Sequence, residues 1–66
     1  MKGVVKWFDD SKGFGYITDE RGRDFWVHYS DIEMKGFKTL KPAQKVKFNG
    51  YETDLGLQAK DVKVYE

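Results

Sequence analysis

The sequence predicts an all-β fold, a small closed barrel of five short strands. Three observations predict it. Five runs rich in Val, Ile and aromatic residues are bounded by Gly, Asp and Ser clusters, the pattern of strands and turns. Gly36 and Pro42 interrupt the one stretch that lacks strand character, so no long helix fits there. The chain has 66 residues and no cysteine, which allows a single domain over residues 1–66 without disulfide staples. Closure into a barrel removes the free edges that five open strands would leave.

The first strand is Lys2–Phe8, closed by the loop Asp9-Asp10-Ser11-Lys12-Gly13. Phe14–Thr18 is the second and ends at Asp19-Glu20-Arg21-Gly22. Asp24–Tyr29 is the third. Ser30 and Glu33 stand at capping-box spacing and predict one helical turn. The segment from Ile32 to Gln44 is a long loop, which in so small a domain points to function or tight packing. Lys45–Glu52 alternates Lys, Val, Lys and Phe, with Val46 and Phe48 inward. Thr53-Asp54-Leu55-Gly56 is a turn, and Lys60–Tyr65 is the fifth strand. The expected interior is Val4, Ile17, Phe25, Val27, Ile32, Val46, Phe48, Val62 and Val64.

The second and third strands carry the functional signal. Alternate side chains of a strand point to opposite faces. Phe14 and Tyr16 therefore share one face, and Gly13, Gly15 and Ile17 the other. Phe25 and Val27 share a face, opposite Asp24, Trp26 and His28. Asp24 and His28 are poor core residues, so their face is wet and Trp26 lies outside with them. Pairing of the two strands brings Phe14 and Tyr16 beside Trp26 and His28. Gly13 and Gly15, on the inner side, suit a tightly curved wall.

Cross-strand ring pairs stabilise a sheet by about 0.2–1 kcal/mol each. That does not account for the area, since each ring offers about 150–250 Å². Several adjacent exposed rings exceed the apolar patch a monomer usually shows, so a ligand is the better account. Flat rings interleaved with cations suit unpaired bases, which stack for about 1–3 kcal/mol each whatever their sequence. Lys6, Lys12 and His28 stand at the edges, where phosphates or base edges would be met. Proline-rich or extended peptides are the alternative occupant of the same face.

Other classes find no support. One His, no Cys and no paired carboxylates leave no nucleophile–base constellation, so no enzyme and no small-molecule substrate is expected. Asp9 and Asp10 read as a solvated turn, not a metal site, and no cofactor is expected. No apolar run reaches signal-peptide or membrane-spanning length, so no membrane is expected; without cysteine the protein is expected in the cytoplasm, and it is expected as a monomer. The formal charge is +1, from 12 basic and 11 acidic residues. It divides unevenly: residues 1–33 carry five basic and seven acidic side chains, residues 34–66 seven and four. The half with most of the rings is slightly acidic, so stacking should outweigh phosphate contacts.

The string Lys12-Gly13-Phe14-Gly15-Tyr16-Ile17 looks like the first RNP motif, and the whole chain resembles the bacterial cold-shock proteins. The resemblance runs through Gly3-Val4-Val5-Lys6-Trp7-Phe8, Val27-His28-Tyr29-Ser30, Gly36-Phe37-Lys38-Thr39-Leu40 and Gly56-Leu57-Gln58-Ala59. It implies a five-stranded antiparallel OB-type barrel that binds single-stranded RNA and single-stranded DNA and acts as an RNA chaperone. It implies a stacking platform at Trp7, Phe14, Trp26, His28, Tyr29 and Phe37, with Tyr16 and Phe8 supporting. It also implies polar contacts at Lys6, Lys12 and Asp24. The chain departs from the family pattern in places. Trp26 stands where Phe is usual, Leu55 where a basic residue is common, Leu57 where Pro is common and Ala43 where Gly is common.

Overall fold

The structure, a computed structural model, describes residues 1–65. Five strands form in chain order: β1 (Lys2–Asp9), β2 (Phe14–Asp19), β3 (Asp24–His28), β4 (Lys45–Thr53) and β5 (Gly56–Val64). They close into a barrel in the order β1-β2-β3-β5-β4, with β4 returning to β1. The all-β barrel is the one expected. Its seams are antiparallel except for the closure of β3 on β5, which is parallel through Trp26 and Gln58. Among the described residues no helix is long and apolar enough to cross a membrane.

The core follows from strand alternation. Ile17, Phe25, Val27, Ile32, Val46, Phe48 and Val62 are all buried, as expected. Val4 is the exception, being exposed while Val5 is buried. The inner set of β1 is Gly3 and Val5, in register with Asp19 and Ile17. Val64 is only half-buried against the cluster, and Leu40 and Ala59 complete it.

Two bulges break the alternation. On β1, Val5 faces Ile17 and Trp7 faces Tyr16, so Lys6 is an extra residue without a partner. On β5, Lys63 faces Lys47 and Lys60 faces Asn49, which leaves an extra residue on β5 at Asp61, whose φ is 53°. The β5 bulge turns Ala59 and Val62 to the same inner side, three residues apart.

The helical turn is a single 3-10 turn at Tyr29–Asp31, and its cap lies two residues ahead of the expected capping box. Its cap is His28, not Ser30: the His28 ring nitrogen Nδ1 accepts the Ser30 N–H at 3.3 Å. A second element also shifts, because β5 begins at Gly56 and pairs with β4 from Thr53 onward. The expected strand from Lys60 to Tyr65 is thus only its second half.

Gly15 marks the tightest approach in the wall. A Cβ there would collide with the Trp7 carbonyl oxygen and lie 2.7 Å from Phe8 Cα. The obstacle is the backbone of β1 more than the barrel interior. The long loop is fastened by a hydrogen bond from the Thr39 hydroxyl to the Asp10 carboxylate.

Candidate functional site

The site begins with the bulge at Lys6. Without it, Trp7 would point inward on the side of Val5. The extra residue sends Lys6 and Trp7 to the same outer surface, and both are exposed. There Trp7 meets its neighbours on β2, with ring centroids 5.6 Å from Phe14 and 5.5 Å from Tyr16.

The β2–β3 register extends the surface. Phe14 faces His28, Tyr16 faces Trp26 and Thr18 faces Asp24. The Phe14 and Trp26 rings are 6.1 Å apart, Trp26 and His28 stack at 5.8 Å, and His28 and Tyr29 lie at 4.4 Å. Six rings thus form one ribbon, Tyr16–Trp7–Phe14–Trp26–His28–Tyr29. Four of these five contacts are tilted or edge-on, an arrangement that leaves π-faces open to a flat ligand.

A polar rim borders the ribbon. Lys6 Nζ lies 2.9 Å from Asp24 Oδ2, and the Thr18 hydroxyl donates to Asp24 Oδ1 at 2.8 Å. The Lys6 ammonium and then the Thr18 hydroxyl hold the Asp24 carboxyl below its usual range. The turn between β1 and β2 is organised by Asp9, which accepts from the Ser11 N–H and hydroxyl and from the Lys12 N–H. Those bonds, the Ser11 hydroxyl foremost, hold the Asp9 carboxyl low as well. They present Lys12 exposed at the end of β2.

Two grooves flank the ribbon. One, of about 450 Å³, lies under the long loop and is lined by Lys12, Gly13, Tyr29, Phe37 and Lys38. Phe37 is 70% exposed, so it does not tuck onto the barrel to anchor the loop. The other, of about 400 Å³, is lined by Tyr16, Asp24, Trp26, Leu55, Leu57 and Gln58.

Residues 1–65 match the family model described as the 'cold-shock' DNA-binding domain. The chain belongs to the cold-shock domain family. It is 56% identical to a cold shock-like protein of Thermotoga maritima over the full length of both chains. It is 52% identical to the major cold shock protein CspA of Pseudomonas aeruginosa, over 97% of this chain and 93% of that one. Among solved structures, Drosophila Unr CSD456 matches with a TM-score of 0.78 at 20% identity, over 98% of this chain. This chain spans 26% of that longer one, and the likeness concerns the fold alone.

In this cold-shock domain, eight of the ten expected site residues share one face: Lys6, Trp7, Phe14, Tyr16, Asp24, Trp26, His28 and Tyr29. Lys12 and Phe37 stand across the groove at its Tyr29 end. Phe8 is not on this face, because it packs half-buried against the core. Lys6 is not a free cation, because Asp24 holds it. Leu57 and Gln58 were missed as neighbours of Trp26. Alternation gave no hint of them, because their strand was expected to begin only at Lys60. Lys38 was also missed, and no signal in a loop without periodicity points to it.

Proposed function

We propose that this cold-shock domain binds single-stranded RNA and DNA with low sequence specificity and acts as an RNA chaperone. The observation that carries the reading is the continuous ribbon from Tyr16 to Tyr29, on the outer face of three strands. Bases stack on Trp7, Phe14, Trp26, His28 and Tyr29, with Tyr16 at one end and Phe37 closing over the other. A strand held this way has its bases occupied and unable to pair, which disfavours weak secondary structure without any energy source.

The electrostatic share is small. Lys12 meets a phosphate, with one loop lysine beside it. The Lys6–Asp24 pair, nearly neutral, offers a donor and acceptors to base edges. Single strands lose affinity with a salt slope of about −0.7 per phosphate contacted. Two such contacts predict a slope magnitude of roughly 1–2.

The test is quenching of Trp7 and Trp26 fluorescence by a short oligothymidine of about 6 nucleotides across a salt series, with a proline-rich peptide as control. Quenching by the oligonucleotide alone, with the shallow slope, supports the reading. A slope magnitude of about 4 or more would show phosphate contacts dominating and remove the stacking account. Quenching by the peptide instead would assign the face to extended polypeptides. Opening of a weak RNA hairpin by the protein, followed with end-attached fluorophores, tests the chaperone step.

A further inference from the structure

The strand lysines of the basic half of the chain do not face the ribbon. Residues 34–66 hold seven basic and four acidic side chains. The barrel gathers several of the basic ones on the outer side of β1, β4 and β5. Lys2 faces Lys47, and Lys47 faces Lys63, so three lysines stand in one row across three strands. All three are exposed. Like charges directly opposite one another work against a sheet.

The row has little internal neutralisation. Lys63 has Glu33 at 3.5 Å, both side chains well exposed. Among the described residues Lys2 and Lys47 make no ion pair. Both ammonium groups lie instead near the exposed Tyr65 ring, 5.6 and 5.4 Å from its centroid. Two cations at one ring make a concentrated positive centre.

This row connects to the ribbon along one surface. Trp26 of β3 faces Gln58 of β5, and Gln58 faces Tyr51 of β4, which is exposed. The next outward pair along the same strands is Lys60 and Asn49. The bulge at Asp61 follows, with its carboxylate accepting from the Asn49 amide at 2.9 Å. Lys63, Lys47 and Lys2 come next. From Gln58 to Lys63 is five residues, about 16 Å of strand.

We propose that the outer face of β1, β4 and β5 is a second nucleic-acid contact. It is a phosphate-directed track for the part of a long single strand that leaves the ribbon past Gln58. The proposal rests on the platform reading and extends it. Lys60, Lys47, Lys63 and Lys2 act as point charges along the sugar–phosphate backbone. Tyr51 at the ribbon end and Tyr65 beside Lys2 and Lys47 add flat surfaces to the track. Ribbon and track divide the work: bases on the first, phosphates on the second. The net charge of +1 is compatible with this division because the cations are segregated from the rings.

The experiment compares the wild type with the double variant Lys47→Ala/Lys63→Ala, on oligothymidines of about 6 and about 20 nucleotides. These lengths lie near the lower end and above the top of the roughly 4–16 nucleotides one such barrel covers. Thermal melting confirms that both proteins are folded. The variant should bind the short strand as the wild type does. On the long strand its affinity should fall roughly tenfold at low salt, with the slope reduced by about 1.4, two contacts at about 0.7 each. An unchanged affinity for the long strand overturns the proposal, and so does an equal loss on both lengths. Capture of polyglutamate by the wild type as tightly as the long strand would assign the track to acidic polypeptides and also overturn it. The short strand reads the ribbon alone, and the difference between lengths reads the lysines alone, so the two claims fail separately.

Discussion

Lys6 and Asp24, two residues expected to meet nucleic acid independently, meet each other, with Nζ 2.9 Å from Oδ2. The pair ties the bulge of β1 to the start of β3 across the end of β2, where Thr18 holds the second carboxylate oxygen. It places a compensated charge, not a free cation, at the rim. Lys6→Ala should therefore change the salt slope of oligothymidine binding by less than about 0.3, whereas Lys12→Ala should lower it by up to about 0.7. Asp24→Asn releases Lys6 and should steepen the slope by about 0.7. The three slopes, measured by fluorescence titration, rank the cations directly. A larger loss for Lys6→Ala than for Lys12→Ala would show the pair opening on binding.

Phe14 and Trp26 sit at the middle of the ribbon, each touching rings on either side. Phe14→Ala and Trp26→Ala should each weaken oligothymidine binding by at least about 1 kcal/mol. Both rings face outward, so the fold should survive and unfolding should stay cooperative. Combining the substitutions should show coupling, because the rings are neighbours. Phe37→Ala should weaken binding with no loss of stability, since the ring is mostly exposed. A large drop in the melting midpoint of that variant would mean that the ring anchors its loop after all.

Alternation made the faces of β2 and β3 legible, because those two strands pair without interruption. Placing Asp24 and His28 in water put Phe25 and Val27 inside, and both are buried. The same rule fails where a residue is inserted. Trp7 shares strand parity with buried Val5, so only the bulge at Lys6 explains its exposure. A bulge is a property of two strands in register, and neither strand alone announces it. Val4 is expected inside, yet Lys2 and Lys6 share its parity, and the rule applied to Asp24 and His28 would have put it in water. Gln58 was lost for a related reason. Gly56-Leu57-Gln58-Ala59 has weak strand composition, and its pairing with Tyr51 and Trp26 is a tertiary fact. The cap at His28 was hidden because an imidazole is an unusual cap, and the Ser–Glu spacing was a stronger local cue.

Three carboxylates link folding to pH. Asp9 and Asp24 are held below their usual range by hydrogen bonds from Ser11 and Lys6 respectively. Asp19 is buried, which by itself would raise it. The Arg23 N–H and guanidinium and the Arg21 N–H outweigh that and hold it low. A carboxyl lowered on folding contributes stability that is present above its unfolded value, about 3.9, and is lost as pH falls through its folded value. The melting midpoint should thus be nearly flat from about pH 8 to about pH 5 and fall below about pH 4. Asp19→Asn should lower the midpoint at neutral pH and shrink the acid-side drop. A midpoint that rises on acidification would reverse the sign argued here.

Ala43 offers the opposite kind of change, a gain in stability. Its φ is 70°, in the left-handed region where a Cβ crowds the following carbonyl. The Gln44 N–H donates to the Lys41 carbonyl at 3.1 Å, closing a four-residue turn with Pro42 second and Ala43 third. Proline at the second position restricts the turn to type I or II, and the positive φ at the third selects type II, the position glycine favours. Ala43 must keep this conformation, because its own N–H donates to the Val5 carbonyl at 2.8 Å and the Val5 N–H donates to the Gln44 carbonyl at 2.9 Å. Those two bonds tie the turn to β1 beside the bulge. Ala43→Gly removes about 1–2 kcal/mol of strain and adds about 0.4–1 kcal/mol of unfolded-state freedom. The net gain should be roughly 0.5–1 kcal/mol, read as a higher midpoint in urea with an unchanged slope. Because the turn contributes no ring to the ribbon and Gly keeps both of its bonds to Val5, oligothymidine affinity should not move. A lower midpoint would mean that the freedom released by glycine outweighs the strain removed.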